Sequence, residues 1–155
     1  LEYRDGVQQI LLNGENVTGL IRTEEVGNMA SAISGYKTVR EKLVELQKEL
    51  AKKADVIMDG RDIGTVVLPN AQVKVFLTAS AEERARRRYR ELLEKGEDVL
   101  FEEVLRDVQE RDYNDSHRAV APLKQAEDAV LLDTTGITLE ESVSRLIQCI
   151  KERSQ

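Results

Sequence analysis

The sequence predicts an α/β protein, a parallel sheet wrapped by helices, with a small antiparallel sheet at its front. Three observations carry this. From Lys37 onward the hydrophobic pattern runs helix, strand, helix, helix, strand, helix, an order that favours parallel strands joined by crossover helices. Three apolar runs, Val56–Met58, Val73–Leu77 and Ala129–Asp133, are too short for stable helices and suit buried strands. Near the start, Asp5-Gly6 and Asn13-Gly14 are dipeptides that favour two-residue hairpin turns.

Taken in order, Val7–Leu12 reads as a strand between the two turns, and Gly19–Arg22 as a candidate for another. Such a sheet is too small to be stable alone. Thr23 is placed to cap a helix whose first turn holds Glu24 and Glu25, next to the positive helix end. Lys37–Ala54 is a second helix, with Val39, Leu43, Leu46 and Leu50 at helical spacing. Ser80-Ala81-Glu82-Glu83 has capping-box spacing, and Ala81, Ala85, Tyr89 and Leu92 share one face of the helix that follows. Gly96 is its expected end. Phe101–Asp115 begins a further helix, which Pro122 must break. Thr138 opens a last amphipathic helix carrying Val143, Leu146, Ile147 and Ile150.

Bulk properties narrow the function. A chain of 155 residues suffices for one domain with a core, or one domain plus an insert. Its net charge of −6 and its 4% aromatic content argue against a nucleic-acid binder, which would be basic with stacking side chains. The single cysteine, Cys149, allows no disulfide within the chain and fits a reducing, cytoplasmic compartment. No apolar run approaches the length of a membrane span, so neither nucleic acid nor membrane is an expected partner.

The charged clusters are more specific. At Asp59-Gly60-Arg61-Asp62-Ile63-Gly64 an apolar run meets an arginine and an aspartate between glycines, at the carboxyl end of an expected strand, where open α/β sheets bind ligands. Arg61 and Asp62 are either the floor of a site for an anion and a base, or a polar turn. Arg84, Arg87 and Arg88 fall together on one helix patch. Carboxylates around them allow a solvated charged face, while three guanidiniums side by side also suit a polyphosphate. Arg40 sits near a helix start, unfavourable to the helix dipole; it is a solvated side chain or serves a polar ligand. The apolar seam Phe101, Val104, Val108 continues by helical steps into Arg111, Asp115 and Arg118, if the helix persists. That triad is an internal ion-pair ladder or a grip on a ligand with hydroxyls and phosphate. His117, the only histidine, is offset from this seam and reads as a surface residue.

Four stretches together resemble the bacterial cytidylate kinases among the nucleoside-monophosphate kinases: G-L-I-R-T-E-E-V at Gly19–Val26, D-G-R-D-I-G-T-V-V-L-P at Asp59–Pro69, E-E-R-A-R-R-R at Glu82–Arg88, and R-D-Y-N-D-S-H-R-A-V-A-P-L at Arg111–Leu123. The resemblance implies a P-loop-kinase-like three-layer α/β fold: a parallel sheet between helices, with residues 1–36 as a β-rich monophosphate-binding insert. Residues 37–155 would be the kinase core, with a helical lid over about 80–116. It implies transfer of the γ-phosphoryl group of ATP to CMP or dCMP, assisted by Mg2+. By motif, Ser31, Arg40 and Asp62 correspond to groups that read cytosine, Arg61 and Arg118 to ligands of the acceptor phosphate, and Arg111 and Asp115 to the sugar-recognition pair. Arg84, Arg87 and Arg88 match the catalytic lid that closes over ATP. No metal-binding side chains are expected.

One feature departs from the family. The resemblance implies a glycine-rich phosphate loop ahead of the matched region, yet no G-x-x-x-x-G-K-[ST] occurs. The expectation is therefore a later portion of such a kinase, its core incomplete without an N-terminal segment that would act as its partner, and nearly inactive alone. The alternative is a non-catalytic CMP-binding or assembly module on a kinase scaffold.

Overall fold

A computed structural model describes residues 2–153. It is a mixed α/β structure in two compact units, Leu1–Glu45 and Leu46–Gln155, and each is taken separately below. No helix among the described residues is long and apolar enough to cross a membrane.

In the first unit β1 (Glu2–Arg4) pairs antiparallel with β2 (Val7–Gln9), and β3 (Leu11–Leu12) with β4 (Glu15–Asn16). Both connections are the tight turns expected. Asp5 and Gly6 have φ of 52° and 76°, Asn13 and Gly14 of 53° and 89°, so both central residues are left-handed, as a hairpin of this twist requires. The single strand expected over Val7–Leu12 is split at Ile10. Its N–H is taken by Thr18 Oγ1 at 2.8 Å instead of a ladder partner. Gly19–Arg22 is a turn rather than a strand: Leu20 and Ile21 both donate to the Val17 carbonyl. Asn16 sets this up, its Oδ1 accepting from the backbone N–H and the hydroxyl of Thr18. α1 (Glu24–Ser34) opens on Thr23, whose hydroxyl accepts from Val26 N–H at 3.3 Å.

α2 (Lys37–Ala51) stops three residues before Ala54, in a tightened last turn. Its apolar positions have the expected spacing, yet Leu43, Leu46 and Leu50 are each about half exposed and no residue of the helix is buried.

In the second unit β5 (Val75–Thr78) and β6 (Val130–Asp133) run parallel, in register from Val75–Val130 to Thr78–Asp133. Their connection is a helical hairpin of α3 (Ala81–Glu94) and α4 (Phe101–His117). Ala85 and Leu92 of α3 pack on Val104 of α4, flanked by Tyr89, Phe101 and Val108. Tyr89 meets Phe101 edge to face, ring centroids 5.9 Å apart. The expected caps are present. Ser80 Oγ accepts from Glu83 N–H. At the other end Gly96, at φ 79°, lets Glu97 N–H reach the Leu92 carbonyl and its own N–H reach Leu93. α5 (Leu139–Arg153) opens on Thr138, whose hydroxyl accepts from Glu141 N–H.

The third expected strand is not formed. Val56–Met58 joins no ladder among the described residues, and Ile57 is 98% exposed. An apolar run becomes a buried strand only where a neighbour pairs its backbone and covers its side chains, and β5 and β6 pair with each other alone. The parallel component is thus two strands where a larger sheet was expected.

Replacing Gly96 by alanine should destabilise the chain by about 1 kcal/mol, the cost of holding an L side chain in the left-handed region. Urea unfolding checks this, and an unchanged midpoint would show that the turn is not held at that φ.

Candidate functional site

The polar centre of the second unit begins at the tip 59–62. The chain leaves it through a π-helical turn, Ile63–Val67, in which Leu68 N–H reaches the Ile63 carbonyl at 2.7 Å. The Asp62 carbonyl accepts from Val66 N–H at 2.8 Å, with Thr65 and Val67 N–H at 3.3 Å. Such turns are rare and recur at functional sites. Glycine makes this one possible by allowing close approach, not unusual dihedrals. A Cβ at Gly60 would stand 2.9 Å from Ile63 Cγ1, and one at Gly64 would press on the Lys74 stem at 3.3 Å. Fully buried Val67 anchors the turn from below. Beyond it, Lys74 is 7% exposed at its side chain; its ammonium donates to the Pro69 carbonyl and to both carboxylate oxygens of Asp128 at 2.8 and 2.7 Å. The Lys74 hydrogen bond holds the Asp128 carboxyl below its ordinary range.

Arg61 reaches across 54 residues to α4, its Nε donating to Asp115 Oδ2 at 2.7 Å. Asp115 is 8% exposed, so a cationic partner is a physical necessity. The Asp115 carbonyl accepts from Leu123 N–H at 2.8 Å, folding the chain after α4 back onto its last turn. Arg118 lies in that return. It does not continue the helix: its ψ of 142° takes the chain out of α4, and its Nε donates to the Ala121 carbonyl at 2.5 Å.

The structure thus brings Arg61, Asp115 and Arg118 to the carboxyl end of α4, with Asp62 beside Arg61. Arg111, one helical turn before Asp115 on α4, is exposed. The continuation of the apolar seam passes through Val104, Val108, Asp112 and Asp115, not through Arg111. Asp112 was not singled out from sequence; a step of four rather than three from Val108 finds it. It forms a forked pair with Arg84, 2.7 Å from Nη1 to Oδ1, while Arg84 Nε donates to the Ala79 carbonyl at 3.0 Å. The hydrogen bond that Arg84 donates to Asp112 raises the Arg84 pKa, holding the guanidinium more firmly charged. Arg87 donates from Nε to Glu83 and from Nη2 to the Thr134 carbonyl at 2.7 Å. Buried Thr134 bonds in turn through N–H and hydroxyl to the Thr78 carbonyl. Arg88 lies 3.6 Å from Glu91. Arg84 and Arg87 therefore tie α3 to the carboxyl ends of β5 and β6, the end at which open α/β sheets bind ligands. His117 lies on the surface as expected, stacked on Tyr113.

Ser31 and Arg40 belong to the first unit. Ser31 is exposed on α1, its carbonyl accepting from the Ser34 hydroxyl. Arg40 is half-buried on α2, with Nη1 donating to the Ser34 carbonyl at 3.3 Å.

Guanidiniums set against carboxylates on an α/β frame form a chemistry suited to phosphate esters that also carry hydroxyls, the substrates of the nucleoside-monophosphate kinases. Comparison with known proteins narrows this class. The family model for cytidylate kinase matches residues 1–152. A cytidylate kinase of Carboxydothermus hydrogenoformans is 53% identical over 150 residues, covering 97% of this chain and 68% of that protein. Those of Lactobacillus gasseri and Pasteurella multocida are 48% and 50% identical, over 99% and 96% of this chain and 67% and 65% of theirs. The chain belongs to the cytidylate kinase family, the ATP-dependent kinases that phosphorylate CMP or dCMP, and spans about two thirds of the length of these relatives.

Two outcomes follow from this geometry. The Asp128 carboxyl is lowered in the folded state, so its contribution is present above the ordinary value of 3.8 and lost as pH falls through the lowered one. Asp128→Asn should therefore flatten the fall of Tm with acid below about pH 4; a slope equal to that of the parent would refute the pairing. For Arg84 and Asp112, both part-exposed, a double-mutant cycle to alanine read by urea unfolding should give a coupling of about 1 kcal/mol. A coupling of zero would mean that the fork is not populated in solution.

Proposed function

We propose that Arg61 and Arg118 hold the phosphate of CMP or dCMP, that Asp115 and Arg111 address its sugar, and that Asp62, Arg40 and Ser31 read the cytosine edge. The observation that most supports this reading is the Arg61–Asp115 pair beside Arg118. Arg61 spends its Nε–H on Asp115, which leaves both terminal NH2 groups of a half-exposed guanidinium to meet phosphate oxygens bidentately. Asp115, pinned by Arg61, keeps acceptor capacity for a sugar hydroxyl. A cytosine edge offers an amino donor beside a ring-nitrogen acceptor, which a carboxylate such as Asp62 and a guanidinium such as Arg40 match.

Phosphoryl transfer asks little of side-chain acids and bases and much of positioning and charge neutralisation. Arg84, Arg87 and Arg88, on the lid of about 80–116, serve the ATP phosphates in this reading. They stand in the structure already neutralised by Asp112, Glu83 and Glu91, so a triphosphate must take over from carboxylates that now occupy them. Among the described residues no group of three His, Cys, Asp or Glu is placed to hold a metal ion. In this reading Mg2+ arrives with ATP, whose phosphates supply much of its coordination and whose charge it offsets. The wider parallel sheet of a P-loop kinase, the β-rich insert 1–36 as the monophosphate-binding element, and a cytoplasmic location complete the proposal.

Phosphoryl transfer from ATP to CMP, dCMP, UMP and AMP tests it. CMP and dCMP should be preferred by at least about tenfold, the discrimination expected of one charged hydrogen bond of about 1.5–3 kcal/mol. Arg61→Ala should weaken CMP binding by about ten- to a hundredfold on the same scale. Equal turnover of all four acceptors would overturn the cytosine-reading roles, and unchanged CMP affinity in the Arg61 variant would overturn the phosphate role.

A further inference from the structure

Lys74 occupies a place that apolar packing alone would give to another residue. Its side chain is 7% exposed, and a lysine is almost never so buried unless it is paired. A methionine would fill the same space without taking an ammonium out of water. The pair with Asp128 does not explain the choice by stability, because the Asp128 side chain is 63% exposed and so solvated a pair contributes little. What Lys74 does is join the π-helical turn to the parallel strands. Its stem lies along Gly64, where an added Cβ would stand 3.3 Å from Cδ. Its ammonium donates to the carbonyl of Pro69, two residues past the end of the turn. On the other side Asp128 holds the ammonium just before β6, and the Lys74 carbonyl accepts from Val130 N–H at 3.0 Å as that strand begins.

We propose that Lys74 is a positioning residue for base specificity: by holding the π-helical turn at Gly64 and at Pro69, it fixes the aim of Asp62 at the cytosine edge. This rests on the reading that Asp62 accepts from the cytosine amino group. The link between the two is short. Asp62 immediately precedes the turn, and the turn's own amides hold its carbonyl, Val66 N–H at 2.8 Å and Thr65 and Val67 N–H at 3.3 Å. A shift of the turn therefore carries the Asp62 backbone with it. Arg61 is fastened separately, through Nε to Asp115 on α4. Lys74 thus governs the contact with the base and not the contact with the phosphate. Uracil presents a carbonyl where cytosine presents the amino group, and a carboxylate gains nothing from a carbonyl. Loss of Lys74 is then felt by CMP and not by UMP.

Lys74→Met separates positioning from packing, because methionine keeps an apolar stem against Gly64 and removes only the ammonium. Asp128 and Pro69 are both exposed, so water takes over the oxygens it leaves. Calorimetry on the full chain should show the ratio of CMP to UMP affinity falling by about three- to tenfold, the cost of ordering one side chain on binding, with UMP affinity unchanged. Hydrogen exchange in the nucleotide-free protein gives a second readout. Leu68 N–H, which closes the turn on the Ile63 carbonyl at 2.7 Å, should exchange about tenfold faster, while amides in the middle of α4 exchange as in the parent. Asp62→Ala tests the underlying reading and should narrow the ratio by at least about tenfold. Adding Lys74→Met to it should narrow the ratio no further. If Asp62→Ala narrows the ratio and Lys74→Met does not, the positioning role is overturned while the cytosine-reading role stands. Equal losses for CMP and UMP, or faster exchange in α4 as well as at Leu68, also overturn it, since Lys74 then serves the fold at large. If Asp62→Ala leaves the ratio unchanged, the cytosine-reading role fails and the role of Lys74 fails with it.

Discussion

A carboxylate removed from water must find a cation, and Asp115 is the residue at which this constraint organises the site. It is 8% exposed, on the last turns of α4, and the cation it finds is Arg61, from a different part of the chain. That one pair joins the tip after the 56–58 segment to the helical hairpin. It sets the rotation of α4 and fixes where the chain must turn back, since the same residue's carbonyl receives Leu123 N–H. Removing Arg61 would leave the buried Asp115 carboxylate without its cation, so the tip and the end of α4 are held as one object.

The remaining arginines follow the same logic with a second purpose. Arg84 spans the exit of β5, α3 and Asp112 of α4, and Arg87 ties α3 to the Thr134 carbonyl at the end of β6. As struts they hold the helical hairpin against the ends of the two parallel strands. As cations they keep a dense positive patch assembled without a ligand, because each is offset by a carboxylate within reach. A phosphate arriving there exchanges one anion for another rather than assembling the patch anew, which keeps the cost of organisation low.

The apolar faces are less completely used than the polar ones. Leu77 and Leu131 of the parallel pair and Ile57 before the tip are more than half exposed, and Leu43, Leu46 and Leu50 of α2 and Val143 and Ile147 of α5 are each close to half exposed. Parallel strands are ordinarily covered on both faces. The buried core of the second unit is concentrated between α3 and α4, where Ala85, Leu92 and Val104 interlock. The rigid part of this unit is therefore the hairpin that carries Arg84, Arg87, Asp112 and Asp115.

What the sequence determined by itself was local. The left-handed turns at Asp5-Gly6 and Asn13-Gly14, the caps at Thr23, Ser80 and Thr138, the glycine stop at Gly96 and the helical periodicities could all be read from neighbours a few residues apart, because a few residues supply all their hydrogen bonds. So could the four motifs that identify the family. Val56–Met58 could not be settled in this way: pairing and cover are non-local, and an apolar run is blind to whether they exist. The split strand at Ile10 and the exit of Arg118 from α4 were likewise decided by competing acceptors further along the chain. Only tertiary structure chose Asp112 over Arg111 for the seam and joined Arg61 to Asp115. The physical reason is that a charged side chain takes whichever partner the folded chain brings within about 3 Å, and no spacing in the sequence records that meeting.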